Sequence, residues 1–243
     1  MRHLEIARPT GRAHLERVPT GWSVDLELAA DEDGAMDLLR AAIGAVREAG
    51  GGVLRHWARA GDPVSVAASQ SLGLALTREL HQLRRPLPVE ETWDLDVRPF
   101  VPGADEAAWL DVNNRAFRWH PEQGGWTLED LQARMAEPWF DPRGFLLHEV
   151  DGRLAGFCWT KAHRAVSPPL GEIYVIAVDP DFSGRGLGRA LTLAGLDHLF
   201  TSGLGVGMLY VEGTNEAALR LYDGLGFERH HIDLGFAIEV PGS

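Results

Sequence analysis

A chain of 243 residues allows one large domain or two small ones, and its 45% hydrophobic and 24% charged residues fit a globular protein without a long disordered tract. A formal net charge of -12 opposes attraction to phosphate backbones and anionic membrane surfaces, so neither nucleic acid nor membrane is an expected partner. The single cysteine, Cys158, permits no internal disulfide; with no apolar signal core at the start and no run of about 18 apolar residues, the expected location is the cytoplasm.

In chain order, the first half reads as strand Ser23 to Leu28, helix Ala35 to Ala49, strand Val53 to Trp57, helix Pro63 to Leu72 and strand Ala75 to Leu83. Two prolines in Arg84-Arg85-Pro86-Leu87-Pro88-Val89-Glu90-Glu91 remove backbone donors and extend the chain, which places a linker there and divides it into residues 1–88 and 95–243. Beyond the linker, Ala104 to Phe117 reads as a helix, and Thr127 opens another as its N-cap, with Asp130 at the capping-box position. Phe145 to Val150 and Arg153 to Lys161 form a hairpin across Asp151-Gly152, a pair suited to positive φ. There follow strand Glu172 to Val178, a glycine-rich turn, helix Leu187 to Phe200, strand Gly207 to Val211, helix Glu216 to Leu225 and strand Glu228 to Ile238. The predicted fold class is α/β, a mixed sheet with helices packed on it. The first half repeats the tail of this order: Leu72-Gly73-Leu74 matches Leu225-Gly226-Phe227, each between a short helix and an apolar strand.

The sharpest segment runs from Ile173 to Leu191, a buried strand, a glycine-rich turn and a helix start. Gly184, Gly186 and Gly188 leave amide N–H groups uncovered at a helix N-terminus, where free donors and the helix dipole favour an anion, and Arg185 and Arg189 add positive charge. The glycines alone are also compatible with a tight strand-to-helix turn. The segment lacks the Gly-Lys-Ser/Thr ending of a phosphate-binding Walker loop and the acidic ribose ligand of a dinucleotide fold.

Residues Ser183 to Gly188 resemble the acetyl-CoA loop of the GCN5-related N-acetyltransferase (GNAT) superfamily, Gln/Arg-x-x-Gly-x-Gly/Ala, with Ser183 in place of the usual Gln or Arg. Asn215 to Phe227 is similar to a second signature of that superfamily, Asn-x-x-Ala-x-x-x-Tyr-x-x-x-Gly-Phe. The resemblance implies a GNAT fold in the C-terminal domain, preceded by a partial, degenerate GNAT-like domain, and acetyl-CoA as co-substrate. It implies contacts to that molecule from Ile176, Ala177 and Val178 on a splayed strand, from Ser183, Gly184, Arg185, Gly186, Leu187, Gly188 and Arg189, and from Asn215, Glu216, Ala217, Ala218, Leu219 and Arg220.

A narrower resemblance, to the mycothiol synthase family, rests on His120 to Thr127, Trp139-Phe140-Asp141-Pro142, Gly156 to Lys161 and Leu170 to Tyr174; it is strong over about residues 95–240 and weak over 35–90. It implies tandem GNAT-like domains, acetyl transfer to the cysteinyl amine of cysteinyl-glucosaminyl-inositol, and acceptor contacts from Glu122, Lys161, Glu172 and Tyr210. Against that family, the chain begins partway into the first domain. Trp126 and Trp159 are candidates for packing against the sugar, although a tryptophan in a strand is more often core.

Direct attack needs a neutral amine, a positioned thioester and a proton for the leaving thiolate. Glu172, heading the central strand, is the candidate base, because an α-amine of pKa about 8 needs only modest help. The Val178 amide is the candidate for polarising the thioester carbonyl. Asn215 caps the next helix, and Tyr222, two turns further on along the same side, is the candidate general acid. Cys158 reads as a buried thiol with no covalent role. His230-His231 lies in a strand, where neighbours point to opposite faces, so no metal is expected. A monomer is expected. Rival readings keep the donor but acetylate another small amine or a protein N-terminus, or bind acyl-CoA as a non-catalytic sensor. Aligning the halves puts Ala29 to Gly34, with Asp31, Glu32 and Asp33, where Ser183 to Gly188 sit, Asp62 at Asn215 and Ser69 at Tyr222, so the first domain is expected to lack an acetyl-CoA site.

Overall fold

The computed structural model describes residues 3–18, 20–28, 31–120 and 123–243. The first half contains β1 His3–Arg8, β2 Gly11–Val18, β3 Gly21–Leu28, α1 Glu32–Glu48, β4 Gly52–Ala58, α2 Pro63–Ser71 and β5 Ala75–Pro86. The second contains β6 Arg98–Pro99, α3 Glu106–Ala116, α4 Leu128–Met135, β7 Phe145–Val150, β8 Arg153–His163, β9 Leu170–Val178, α5 Leu187–Thr201, β10 Val206–Glu212, α6 Glu216–Asp223 and β11 Glu228–Val240. These form two compact units: Met1–Gln82 with Val211–Leu219 and Arg229–Ser243, and Leu83–Tyr210 with Arg220–Glu228.

In the first unit, the expected strand β3 joins β1 and β2, which the sequence reading omitted, in an antiparallel meander. Its apolar alternation is short, confined to Leu4 and Ile6 on β1 and to Ala13 and Leu15 on β2, and it becomes meaningful only once α1 covers one face. α1 lays Leu38, Leu39, Ala42 and Val46 on that face. β3 then pairs in parallel with β4, from Trp22↔Leu54 to Val24↔His56. β4 pairs on its other side with β11, antiparallel, from Leu234↔Ala58 to Val240↔Gly52. At Gly235 a Cβ would lie 3.1 Å from the Trp57 ring, so a larger residue there makes that ring shift.

In the second unit the strand order is β10-β9-β8-β7-β6. The β7–β8 hairpin turns at Asp151 (φ 52) and Gly152 (φ 74), the positive-φ pair expected. Phe145, Phe157 and Trp159 pack with Trp109 of α3 into an aromatic core, the Phe145 and Trp159 rings stacked at 4.3 Å. Each such ring contributes roughly 1.5–3 kcal/mol by leaving water. α4 starts with the predicted capping box between Thr127 and Asp130. α5 covers the opposite face, where Gly195 lies against Cys158 Sγ and Ile173. The mixed α/β class is as expected.

Candidate active site

β9 is held unequally by its neighbours. On the β8 side the ladder runs its whole length, from His163↔Leu170 to Gly156↔Val178. On the β10 side it runs from Gly207↔Gly171 to Leu209↔Ile173 and stops, so the backbone of Ile176, Ala177 and Val178 is released along that edge. Beyond Val178, the buried Asp179 carboxylate accepts from Arg115 (2.8 Å) and from the Asp181 amide (2.8 Å), which turns the chain. Asp181 in turn takes Arg153 (2.9 Å) and Arg115 (3.1 Å), which hold its carboxyl below the usual carboxylate range.

The turn then delivers the glycine loop. Gly184 and Gly186 have φ of 77° and 79°, a left-handed conformation open to glycine at little cost, and Gly186 caps α5 without any side-chain hydrogen bond. Ser183, Gly184, Arg185 and Gly186 are exposed, while Leu187 and Gly188 are half-buried. The first N–H groups of α5 are thus left for a ligand or water. Arg189 is anchored to the Gly224 carbonyl at 3.1 Å, and Arg185 lies 5.2 Å from the Phe182 ring. The corresponding helix start in the first unit is closed: Asp31 caps α1 by accepting from the Gly34 amide at 2.9 Å.

Glu172 sits at the paired end of β9, 7% exposed, with Oε2 2.6 Å from Nε2 of His163. Lys161 is its register partner on β8, yet the Lys161 ammonium turns to the Trp139 and Tyr174 rings, 4.5 and 5.4 Å from their centres. Tyr210 on β10 is exposed. Glu122 lies outside the described residues, as do Ala29 and Ala30. Tyr222 is buried in α6 beside the Phe227 ring (5.6 Å); burial, with a contribution from Cys158, pushes its phenol up, so it stays protonated. Asn215 caps α6 by accepting from the Ala218 amide at 3.2 Å, with Glu216, Ala217 and Arg220 exposed and Ala218 and Leu219 half-buried. Glu172, Tyr222, Lys161, Tyr210, Arg220, the released strand and the glycine loop belong to the second unit; Asn215, Glu216, Ala217, Ala218 and Leu219 are grouped with the first.

Two expectations are corrected. Trp159 is fully buried in the aromatic core and cannot face a sugar; Trp126, half-buried, packs on Trp109 at 5.6 Å. His230 and His231 do not diverge: a 2.9 Å contact between their Nδ1 atoms draws the rings together. Among the described residues no group of three or more His, Cys, Asp or Glu could hold a metal ion, and no helix is long and apolar enough to cross a membrane. Sequence reasoning missed His163 and the Arg115 and Arg153 contacts. Arg115 meets Asp179 across 64 positions, a pairing without a local signal; His163 was legible only as a polar residue two places beyond Lys161 on the same strand.

Comparison with known proteins agrees with this fold. A model of the Acetyltransferase (GNAT) family matches residues 107–227. The mycothiol acetyltransferase of Thermomonospora curvata is 48% identical over 238 residues, covering 95% of this chain and 79% of that protein. That of Acidimicrobium ferrooxidans is 54% identical over 187 residues, covering 73% of this chain and 60% of its own length. Among solved structures, a GCN5-related N-acetyltransferase from Sphaerobacter thermophilus superposes with TM-score 0.77 at 21% identity, over 96% of this chain and 78% of its own. A tandem GNAT protein from the clavulanic acid biosynthesis pathway gives 0.70 at 18%, over 96% and 80%. At that identity these structures establish the fold, and with nearly half its residues shared with the Thermomonospora protein over almost its full length, the chain belongs to the mycothiol acetyltransferase family of acetyl-CoA-dependent GNAT N-acetyltransferases.

Proposed function

We propose that this chain transfers the acetyl group of acetyl-CoA to the cysteinyl amine of cysteinyl-glucosaminyl-inositol by direct attack, acting as a cytoplasmic monomer. The observation that carries the reading is the layout of β9, with a buried carboxylate at its paired end, backbone released from β10 beyond Ile173, and an uncapped, glycine-turned helix start at the other end. A second-half catalytic domain, residues 95–243, and a GNAT-like remnant in residues 1–88 are part of the same proposal.

In this reading Glu172 takes the ammonium proton, and the freed lone pair attacks the thioester carbonyl, whose developing charge is met by the Val178 amide. Tyr222, kept protonated by burial, gives its proton to the departing thiolate. The free N–H groups of α5, with Arg185 and Arg189, hold the diphosphate of the donor, while Ile176 and Ala177 offer backbone groups to its amide arm. Lys161, Tyr210 and Glu122 supply donors and acceptors for sugar and inositol hydroxyls. Cys158 has no part, since burial pushes its thiol up and removes the thiolate a covalent route would need.

The test is an acetylation screen in which cysteinyl-glucosaminyl-inositol is offered beside simple amines and peptides. Preferred turnover of the cysteinyl pseudo-disaccharide supports the proposal. Turnover of a simple amine or a peptide in its place transfers the activity to that acceptor, and acetyl-CoA binding without turnover of any amine makes the chain a sensor.

A further inference from the structure

The buried base of the proposed reaction has a partner that neither the motifs nor the register predicted. Lys161 stands opposite Glu172 in the β8–β9 ladder, but its ammonium lies over two aromatic rings, and Oε2 of Glu172 is held by His163 at 2.6 Å. An ionised carboxylate only accepts, so a contact of that length requires an N–H from the imidazole between the two atoms. We infer that His163 is a positioning residue for the acetyl transfer, fixing Glu172 by Oε2 so that Oε1 is the oxygen presented to the acceptor amine. This rests on the reading of Glu172 as the base.

The chemistry follows from proton counting. With the imidazole neutral and Nε2 protonated, the pair carries one net negative charge, and Oε1 can accept the ammonium proton: one N–H bond of the acceptor breaks, an O–H bond forms, and the lone pair left on nitrogen attacks. His163 is the wetter of the two, its side chain 27% exposed against 10% for Glu172. Of the neighbouring groups, Lys161 on β8 stands opposite Glu172, and Tyr174 on β9 is acted on by Glu172, by Arg134 of α4 and by Glu137 just after it. None of them replaces the Nε2–H held against Oε2.

The experiment compares His163→Leu, His163→Gln, Glu172→Gln and the His163→Leu/Glu172→Gln pair, using full-length protein, acetyl-CoA and whichever amine the screen identifies. His163→Leu should lower kcat on the order of tenfold to a hundredfold, as loss of alignment of a reacting group does, and leave KM for acetyl-CoA unchanged. His163→Gln, which keeps an N–H donor at a similar reach, should restore most of kcat. The double variant should be no slower than Glu172→Gln alone. Unchanged turnover in His163→Leu, equal loss in both His163 variants, or losses that multiply in the double variant would overturn the inference. Wild-type turnover in Glu172→Gln would instead overturn the reading of Glu172 as the base.

Discussion

Gly186→Asp separates the two properties that make the start of α5 an anion site. The residue sits at φ 79, ψ 0, and a Cβ built on it meets nothing within 4 Å, so substitution meets no steric clash. What any L-residue costs there is left-handed strain, about 1 kcal/mol, and Gly186→Ala carries only that. Aspartate adds a negative charge beside the free amides. At a separation of ~6 Å and an effective dielectric of ~20, each pair of unit charges repels by about 3 kcal/mol. Because the loop is exposed, screening reduces this to roughly half, which still weakens binding about tenfold or more. Calorimetric titration with acetyl-CoA should therefore give a stoichiometry near one for wild type, a small change for Gly186→Ala, a large loss for Gly186→Asp that shrinks with added salt, and no change for Asp31→Ala. Equal affinities for the two Gly186 variants, or a second saturable site that survives both, would refute the reasoning.

Tyr222→Phe keeps the ring against Phe227 and loses only the proton, so acetyl-CoA affinity should persist while turnover falls by about a hundredfold or more; unchanged turnover refutes the acid role. Gly195→Ala places a Cβ against Cys158 Sγ and 2.7 Å from Ile173 Cδ1, an overpacking of about 1–3 kcal/mol that outweighs the ~1 kcal/mol gained in helix propensity, so the melting temperature should drop. The buried Cys158 thiol is held protonated in the fold, its ordinary range lying near 9.0, so the stability it contributes is present below that range and is lost as pH rises above it. Denaturation measured between about pH 8 and about pH 10 should show a decline that Cys158→Ala makes shallower; an identical slope removes the thiol as its cause.

Much of this was legible in the sequence because it was locally encoded. The Thr127 cap, the Asp151-Gly152 turn and the glycines before α5 each satisfy backbone requirements within a few residues, and the structure has all of them. Where the outcome depended on partners remote in sequence, the reading failed. β1 and β2 offer only alternating pairs of apolar residues, and nothing near them announces the helix that covers them. For Trp159 a place beside the sugar and a place in the core were both open, and Phe145 and Trp109, remote in sequence, claim its ring for the core. Lys161 and Glu172 were both marked for the acceptor, but the register that pairs their backbones does not pair their charges. The aromatic rings of Trp139 and Tyr174 compete for the ammonium, and His163 takes the carboxylate.

The two halves show how little separates a binding copy from a structural one. Each has a strand, a helix and a second parallel strand whose ladder ends after three pairs, at Val24↔His56 in one and Ile173↔Leu209 in the other. In the second copy the ladder ends on an apolar side chain, leaving the strand edge to be satisfied by something else. In the first, the His56 ring reaches across to the Val24 carbonyl at 3.2 Å, and burial pushes the imidazole down so that it remains neutral there. The helix that follows is capped by its own Asp31 instead of by glycine, and at the place of Tyr222 stands Ser69, buried and with its hydroxyl unpartnered. Asp62 keeps the capping part of the role of Asn215, accepting from the Ser65 amide at 2.9 Å, because a helix start must be satisfied whether or not a ligand visits it. A backbone whose end groups are met from within has no free donors left to trade for a phosphate. That is the physical basis for proposing a single acetyl-CoA site in a chain that carries the frame of two.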